Sequence, residues 1–174
     1  MKSDTDCDVC VVGLGASGLT AIIELATAGF RVVGVDAVDV GAGAAGRNGG
    51  FLLAGDSDFY HDSVKKYGRD KALAIYKETM HELEITFREF PSCSKNVGSL
   101  RIAADENEIE CCRKQYNEMK ADGLPVEWYE GPEGKGLLFP TDGVFNPLSR
   151  ARLLAHKAIK LGASLYSQTP VSDV

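Results

Sequence analysis

The first patterned stretch of the chain, Val9 to Gly13, is continuously apolar rather than alternating, which predicts a parallel strand covered on both faces. Ser17 to Ala28 then sets Leu19, Ile22, Ile23 and Leu25 at helical spacing, with Gly29 as the stop. Arg31 to Asp36, RVVGVD, is a second short apolar run and a second predicted strand. A right-handed crossover would lay the two strands side by side in parallel. The pattern then lapses. From Val40 to Gly55, VGAGAAGRNGGFLLAG, glycine recurs and Arg47 is the only charged residue. This reads as an extended loop lying against something, without the solvated polar surface of a linker.

Helical spacing returns over Lys71 to Phe90, where Leu73, Tyr76, Met80, Leu83, Phe87 and Phe90 form a core stripe that Pro91 ends. Gly98 to Ala103 predicts a strand, and Asp105 with Glu108 forms a capping signature before a helix that reaches Lys120 and stops at Gly123. Val126 to Tyr129 alternates as a short strand, whereas Gly131 to Thr141 is rich in Gly and Pro and reads as loop. Asn146 with Pro147 opens a helix that runs to Leu161 and stops at Gly162. Ala163 to Ser167, and the residues from Val171 onward, read as strand. The mixed order of strands and helices in the middle of the chain suggests an α+β layer inserted into an α/β frame.

Composition narrows the class. With 44% hydrophobic and 25% charged residues the chain is globular, and a net charge of −6 without any run of Lys or Arg argues against a nucleic-acid partner or a basic membrane-docking face. The opening MKSDTDCDVC lacks the apolar centre of a secretory signal, and no apolar span is long enough to cross a bilayer. A cytoplasmic protein with no integral membrane segment is expected. Cys7, Cys10, Cys93, Cys111 and Cys112 are odd in number and lack framework spacing. On a strand, Cys7 and Cys10 would lie roughly 10 Å apart on opposite faces, too far for a disulfide or a shared metal. No metal site is expected.

The candidate chemistry lies in Gly13-x-Gly15-x-x-Gly18. The first glycine permits the tight turn, the second lets a pyrophosphate approach the backbone, and the third allows close packing of helix on strand. The helix N-terminus then offers free N–H groups to phosphate. Asp36, at the end of the second predicted strand, is placed to hydrogen-bond a ribose 2′-hydroxyl, which argues against NADP. A glycine-rich loop stands where an NAD domain would continue into a further strand and helix, and this favours FAD.

The stretches DCDVCVVGLGASGLTAIIELATAGFRVVGVD, VGAGAAGRNGGF, GSLRIA and DGVFNPLSRARLLAHKAIKLGASLYSQTPVSDV, in this order, resemble the N-terminal part of FAD-dependent oxidoreductases of the D-amino-acid oxidase family. The GRNGG stretch is most similar to the gamma-glutamylputrescine oxidoreductase and D-amino acid dehydrogenase branch. The resemblance implies that Gly13, Gly15, Ala16, Ser17 and Gly18 cradle the FAD pyrophosphate and that Asp36 holds the adenosine ribose. It further implies that Ala45, Gly46, Arg47, Asn48, Gly49 and Gly50 run along the pyrophosphate towards the isoalloxazine, and that the Val171 backbone meets the adenine. Ala45 departs from the branch, which commonly has Ser there.

The implied fold is a Rossmann-like FAD-binding βαβ unit with an inserted α+β portion of a substrate domain. Residues 1–60 would be the first part of the FAD-binding domain, 61–145 the substrate portion, and 146–174 the return. Family members are considerably longer, so the resemblance implies an N-terminal portion that by itself lacks a complete active site. An incomplete sheet with an open edge predicts poor stability of this portion alone.

The activity implied is oxidation of the C–N bond of a small-molecule amine or amino acid, with hydride transfer to flavin, a chemistry that asks little of side chains. A catalytically silent nucleotide-binding fragment and an NAD-dependent dehydrogenase remain as alternatives. No catalytic residue is assigned, because His61, His81 and His156 are scattered and read as structural.

Overall fold

The computed structural model describes residues 5–173. Its elements run β1 (Val9–Val12), α1 (Ala16–Thr27), β2 (Val32–Val35), β3 (Phe51–Leu52), α2 (Tyr60–Tyr67), α3 (Arg69–Glu89), β4 (Ser94–Asn96), β5 (Ser99–Ile102), α4 (Glu106–Ala121), β6 (Glu127–Gly131), β7 (Gly134–Phe139), β8 (Gly143–Phe145), α5 (Pro147–Lys160) and β9 (Ser164–Tyr166). They form two compact units, one comprising the chain up to Gly50 together with Asn146 onward, the other Phe51–Phe145. The first division falls between Gly50 and Phe51, whereas the first part of the FAD-binding domain is expected to reach residue 60.

In the first unit a parallel sheet has the order β1-β2-β9, with Val9 opposite Val32 and Val35 opposite Tyr166. Leu14, Leu19 and Ile22 are completely buried. Removing each such side chain from water contributes about 1.5–3 kcal/mol. The closeness of α1 to β2 explains the glycine in VVGV: a Cβ on Gly34 would stand 2.6 Å from Ile22 Cδ1 and 2.8 Å from Leu14 Cδ2. Helix α5 packs on α1. It begins where Asn146 Oδ1 accepts from the Ser149 N–H at 2.9 Å, with Pro147 in the first turn.

Two predictions for this unit are corrected. β1 is not covered on both faces, because Val9 and Val11 are half-buried whereas Cys10 and Val12 are exposed, Val12 by 60%. It is an edge strand with apolar cover on one side among the described residues, and β2, the central strand, takes the fully buried role. The residues from Val171 to Asp173 form no strand. Gln168 adopts a φ of +51°, and Pro170 has no N–H to donate, so the ladder stops after β9.

The second unit holds two antiparallel sheets, β3-β8-β4 and β5-β7-β6. Its core gathers Tyr60, Tyr76, Met119, Val126, Leu137 and Phe139. Asp142 ties the two sheets together. Its carboxylate accepts from the Ala54 N–H at 3.0 Å and the Ser99 hydroxyl at 2.6 Å, and its carbonyl accepts from the Gly98 N–H at 2.9 Å. Burial pushes this carboxyl above the usual range. Helix α4 starts as its capping signature predicts: the Glu108 N–H donates to Asp105 Oδ1 at 2.9 Å, and Glu108 Oε2 accepts from the Ala104 N–H at 2.8 Å.

The loop expected over Gly131 to Thr141 is instead largely β7, the central strand of its sheet, with Leu137 fully buried. Its glycine belongs in a strand because a Cβ on Gly136 would lie 1.9 Å from the Arg101 carbonyl oxygen across the ladder. Elements α2, β4 and β8 carried no prediction. Among the described residues no helix is long and apolar enough to cross a membrane.

Candidate functional site: a glycine-built cradle in the first unit

The three fingerprint glycines have three different physical reasons. Gly13 adopts a φ of +103°, closing the turn after β1, and its N–H donates to the Val35 carbonyl at 2.8 Å. Gly18 permits contact: a Cβ there would stand 2.0 Å from the Gly13 carbonyl oxygen. Gly15 has an ordinary φ of −81° and its Cβ would touch only the Ala45 Cβ, at 3.6 Å. Folding alone therefore does not require glycine at position 15, which is what an approach site for another molecule would look like.

Gly15 is also the N-cap of α1, with no side-chain capping bond and no acidic residue in the first turn. The first helical bond closes from the Leu19 N–H to Gly15 O at 3.0 Å. The N–H groups of Ala16, Ser17 and Gly18 precede it and have no acceptor within the helix, and the positive end of the helix dipole lies beside them. An uncapped helix start with no acidic residue in its own first turn is chemically suited to an anion.

Asp36 follows β2 and holds the turn from below. Its Oδ2 accepts from the Leu14 N–H at 2.7 Å and its Oδ1 from the Val38 N–H at 2.9 Å. Each oxygen keeps a further lone pair. The segment after β9 runs alongside, since the Thr169 N–H donates to Asp36 O and the Gln168 N–H to Val38 O, both at 2.8 Å. The Ser167 hydroxyl reaches Asp39 Oδ1 at 2.9 Å, and the Val40 N–H with this hydroxyl holds the Asp39 carboxyl below its usual range. Val171 lies exposed just beyond this contact.

The glycine-rich loop lies against the fingerprint turn. The Gly41 N–H donates to Leu14 O at 3.0 Å, and a 3-10 turn over Ala44–Gly46 sets Ala45 beside Gly15. Gly46 is required here, because a Cβ would stand 2.2 Å from Gly41 O. Asn48 holds the rest of the loop: its Nδ2 donates to the carbonyls of Ala44 at 3.1 Å and Ala45 at 3.2 Å, and its Oδ1 accepts from the Gly50 N–H at 3.0 Å. Arg47 and Gly49 are exposed, and the Arg47 guanidinium has no hydrogen bond or ion pair among the described residues.

One unit thus gathers Gly13, Gly15, Ala16, Ser17, Gly18, Asp36 and the loop from Ala45 to Gly50, with the Val171 segment bonded to the Asp36 turn. Sequence reasoning missed Leu14 and Gly41. Leu14 anchors both Asp36 and the loop through its backbone, and the available signal was a large apolar residue inside a glycine turn, completely buried.

The second unit contains a cavity of about 370 Å³, with Leu53, Ile75, Tyr76, Ser99, Arg101 and Phe139 among its walls. Its polar side chains are largely engaged: Ser99 with Asp142, and Arg101 with Gln115 at 2.9 Å and against the Phe59 ring at 4.5 Å. The Tyr76 hydroxyl has no hydrogen-bond partner among the described residues, and burial pushes this phenol upward. The Ser63 hydroxyl donates to the Asp56 carboxylate at 2.9 Å, and among the described residues neither a histidine nor a cysteine lines the cavity. His61 is buried on α2, whereas His81 and His156 are exposed. Among the described residues no three His, Cys, Asp or Glu side chains come together as a metal-ligand group.

Comparison with known proteins gives a consistent result. A probable oxidoreductase, OrdL, of Haemophilus influenzae is 27% identical over 96% of this chain and 42% of its own length. The gamma-glutamylputrescine oxidoreductase of Escherichia coli is 35% identical over 66% of this chain and 28% of its own. The crystal structure of glycine oxidase from Geobacillus kaustophilus superposes with a TM-score of 0.72 at 25% identity, covering 96% of this chain and 48% of that one. The chain therefore spans less than half the length of these relatives. A family model described as DAO, FAD dependent oxidoreductase, matches residues 8–174. By that match over nearly its whole length, the chain belongs to the FAD-dependent oxidoreductase family.

Proposed function

We propose that the first unit binds FAD and that the protein is an oxidoreductase acting on the C–N bond of an amine or amino acid. The observation that carries the reading is the apposition of the two glycine segments: Gly41 bonded to Leu14, and Ala45 beside Gly15, at the uncapped start of α1. The residues fit the group. A Cβ on Gly13 or Gly43 would meet nothing within 4 Å, so the backbone is open there. An uncapped helix start and an Arg47 without an ion pair among the described residues suit a pyrophosphate, and the spare lone pairs of Asp36 suit ribose hydroxyls.

In this reading Gly13, Gly15, Ala16, Ser17 and Gly18 receive the pyrophosphate through backbone N–H groups. Asp36 accepts from the adenosine ribose, the loop from Ala45 to Gly50 extends along the phosphates towards the flavin ring, and the Val171 backbone meets the adenine. FAD, when bound, supplies the hydride acceptor for the oxidation. The amine or amino acid class is supported by two relatives, whose names place them on gamma-glutamylputrescine and on glycine.

The test is spectroscopic. The protein, purified with excess FAD and desalted, is expected to keep flavin absorption and to release FAD on denaturation. Anaerobic mixing with a panel of amines and amino acids is expected to remove the colour, with glycerol 3-phosphate as a C–O contrast. Colour that no amine or amino acid removes would sink the substrate class. A protein that binds NADH and no flavin would replace the FAD reading with a dehydrogenase.

A further inference from the structure

Asn48 uses three of its hydrogen-bonding positions within a span of seven residues. Its two amide hydrogens go to the carbonyls of Ala44 and Ala45, and its oxygen accepts from Gly50. These contacts lie on both sides of Arg47. The loop is thereby pinned before and after its only charged residue, and Gly50, with a φ of +71°, completes the bend. Three side-chain bonds on an exposed loop do little for a hydrophobic core, since Asn48 is itself exposed and touches only its own loop through them. They do remove conformational freedom, and a loop ordered in advance spares a ligand the cost of ordering it on binding. Arg47 has no competing carboxylate among the described residues, so its charge is available.

Resting on the FAD reading above, we propose that Asn48 is the positioning residue of the cradle. Its side chain holds the 44–50 loop in its binding shape before the cofactor arrives, and it acts through Arg47, whose cation it presents to the FAD phosphates. Arg47 supplies the charge and Asn48 supplies its placement, so neither works fully without the other.

The decisive experiment is a double-mutant cycle on the dissociation constant of FAD, read by flavin fluorescence on the apoprotein at two salt concentrations. Asn48→Ala and Arg47→Ala are each expected to weaken binding about tenfold, and the double variant to bind no worse than about the weaker of the two. The salt dependence of the wild type is expected to be reduced in both single variants, because both lose the placed charge. Melting temperatures of the apoproteins are expected to stay together, which a purely structural Asn48 would not allow. If Asn48→Ala does not fold, Asn48→Ser, which cannot donate to both carbonyls and adds no charge beside Arg47, is read in the same cycle. Affinity within twofold of wild type in the Asn48 variant, or strictly multiplicative losses in the double variant, overturns the proposal while leaving the FAD reading intact. A wild-type protein that does not bind FAD overturns both.

Discussion

Gly15 and Gly18 stand three positions apart in one motif, yet the structure gives them opposite reasons for being glycine. An alanine at 18 would set its Cβ 2.0 Å from the Gly13 carbonyl oxygen, where contacts under 3.0 Å are essentially never seen. The obstacle is backbone, so either α1 lifts from β1 or the turn opens. Forcing an extra carbon into such a contact costs about 3 kcal/mol, and the better helix propensity of Ala returns about 1 kcal/mol. The net loss of about 2 kcal/mol corresponds to a melting temperature lower by about 4–8 °C for a chain of this size.

Gly15→Ala is the matched contrast. Its φ of −81° is ordinary for any residue, and the new methyl would meet only the Ala45 Cβ at 3.6 Å. Its apoprotein stability is expected within about 0.5 kcal/mol of wild type, whereas FAD affinity falls at least about tenfold, or about 1.4 kcal/mol, because the methyl occupies the approach to the backbone. Thermal melting of the apoproteins and FAD titration read the two effects separately. A Gly18→Ala protein melting within about 1 °C of wild type would refute the contact reasoning. A Gly15→Ala protein with undiminished FAD affinity would refute the approach of the cofactor at that position.

Asp36→Ala is expected to weaken FAD binding and also to destabilise the apoprotein by about 2 kcal/mol, since the Leu14 and Val38 N–H groups lose a charged acceptor. A denaturant titration showing no loss of apo stability would reduce Asp36 to a ligand contact. Asp142→Ala leaves the part-buried Ala54 N–H and Ser99 hydroxyl without their acceptor, and the urea midpoint is expected to fall by the equivalent of about 2 kcal/mol. His61 is buried with Nδ1 unpartnered, and burial holds it below its ordinary value, outweighing the effects of Asp62 and Glu118 that favour charge and reinforced by Lys65 and Lys114. Below its ordinary value the unfolded chain takes a proton that the folded one refuses, so stability is retained above that value and is lost as pH falls through the lower, folded one. Urea titrations from about pH 7 to 5 are expected to show this loss in the wild type and a flatter profile in His61→Phe.

Much of the cradle could be read from the sequence because its determinants are local. The turn, the helix behind it and the caps at Asp105 and Asn146 are each decided within a few residues, and the glycine spacing states what the backbone must do. The same reasoning misjudged β7. Gly134 and Gly136 carry the same letters as a loop, but Gly136 is glycine because of the Arg101 carbonyl on a strand more than thirty positions earlier in the chain. β1 was misjudged for a related cause: an apolar run reports that a strand can be covered on both faces, and whether cover exists depends on which neighbours the sheet acquires.

Leu14 and Asn48 show where local reading ends even inside a motif. Both occupy positions that the fingerprint leaves unspecified or treats as one letter of a loop, and both work through partners that only the folded chain identifies: the Asp36 carboxylate and the Gly41 N–H for the Leu14 backbone, and the backbone on the two flanks of Arg47 for the Asn48 side chain. In the second unit even this partial legibility is missing. Its junction residue, Asp142, joins Ala54 and Ser99 across separations of 88 and 43 positions, so no window of sequence contains the three together. Cofactor binding asks for backbone shape, which glycine writes locally, whereas orienting a substrate asks for side chains converging from distant strands. That difference is why the cofactor was readable here before the substrate, and why the substrate class has to be settled by reaction rather than by pattern.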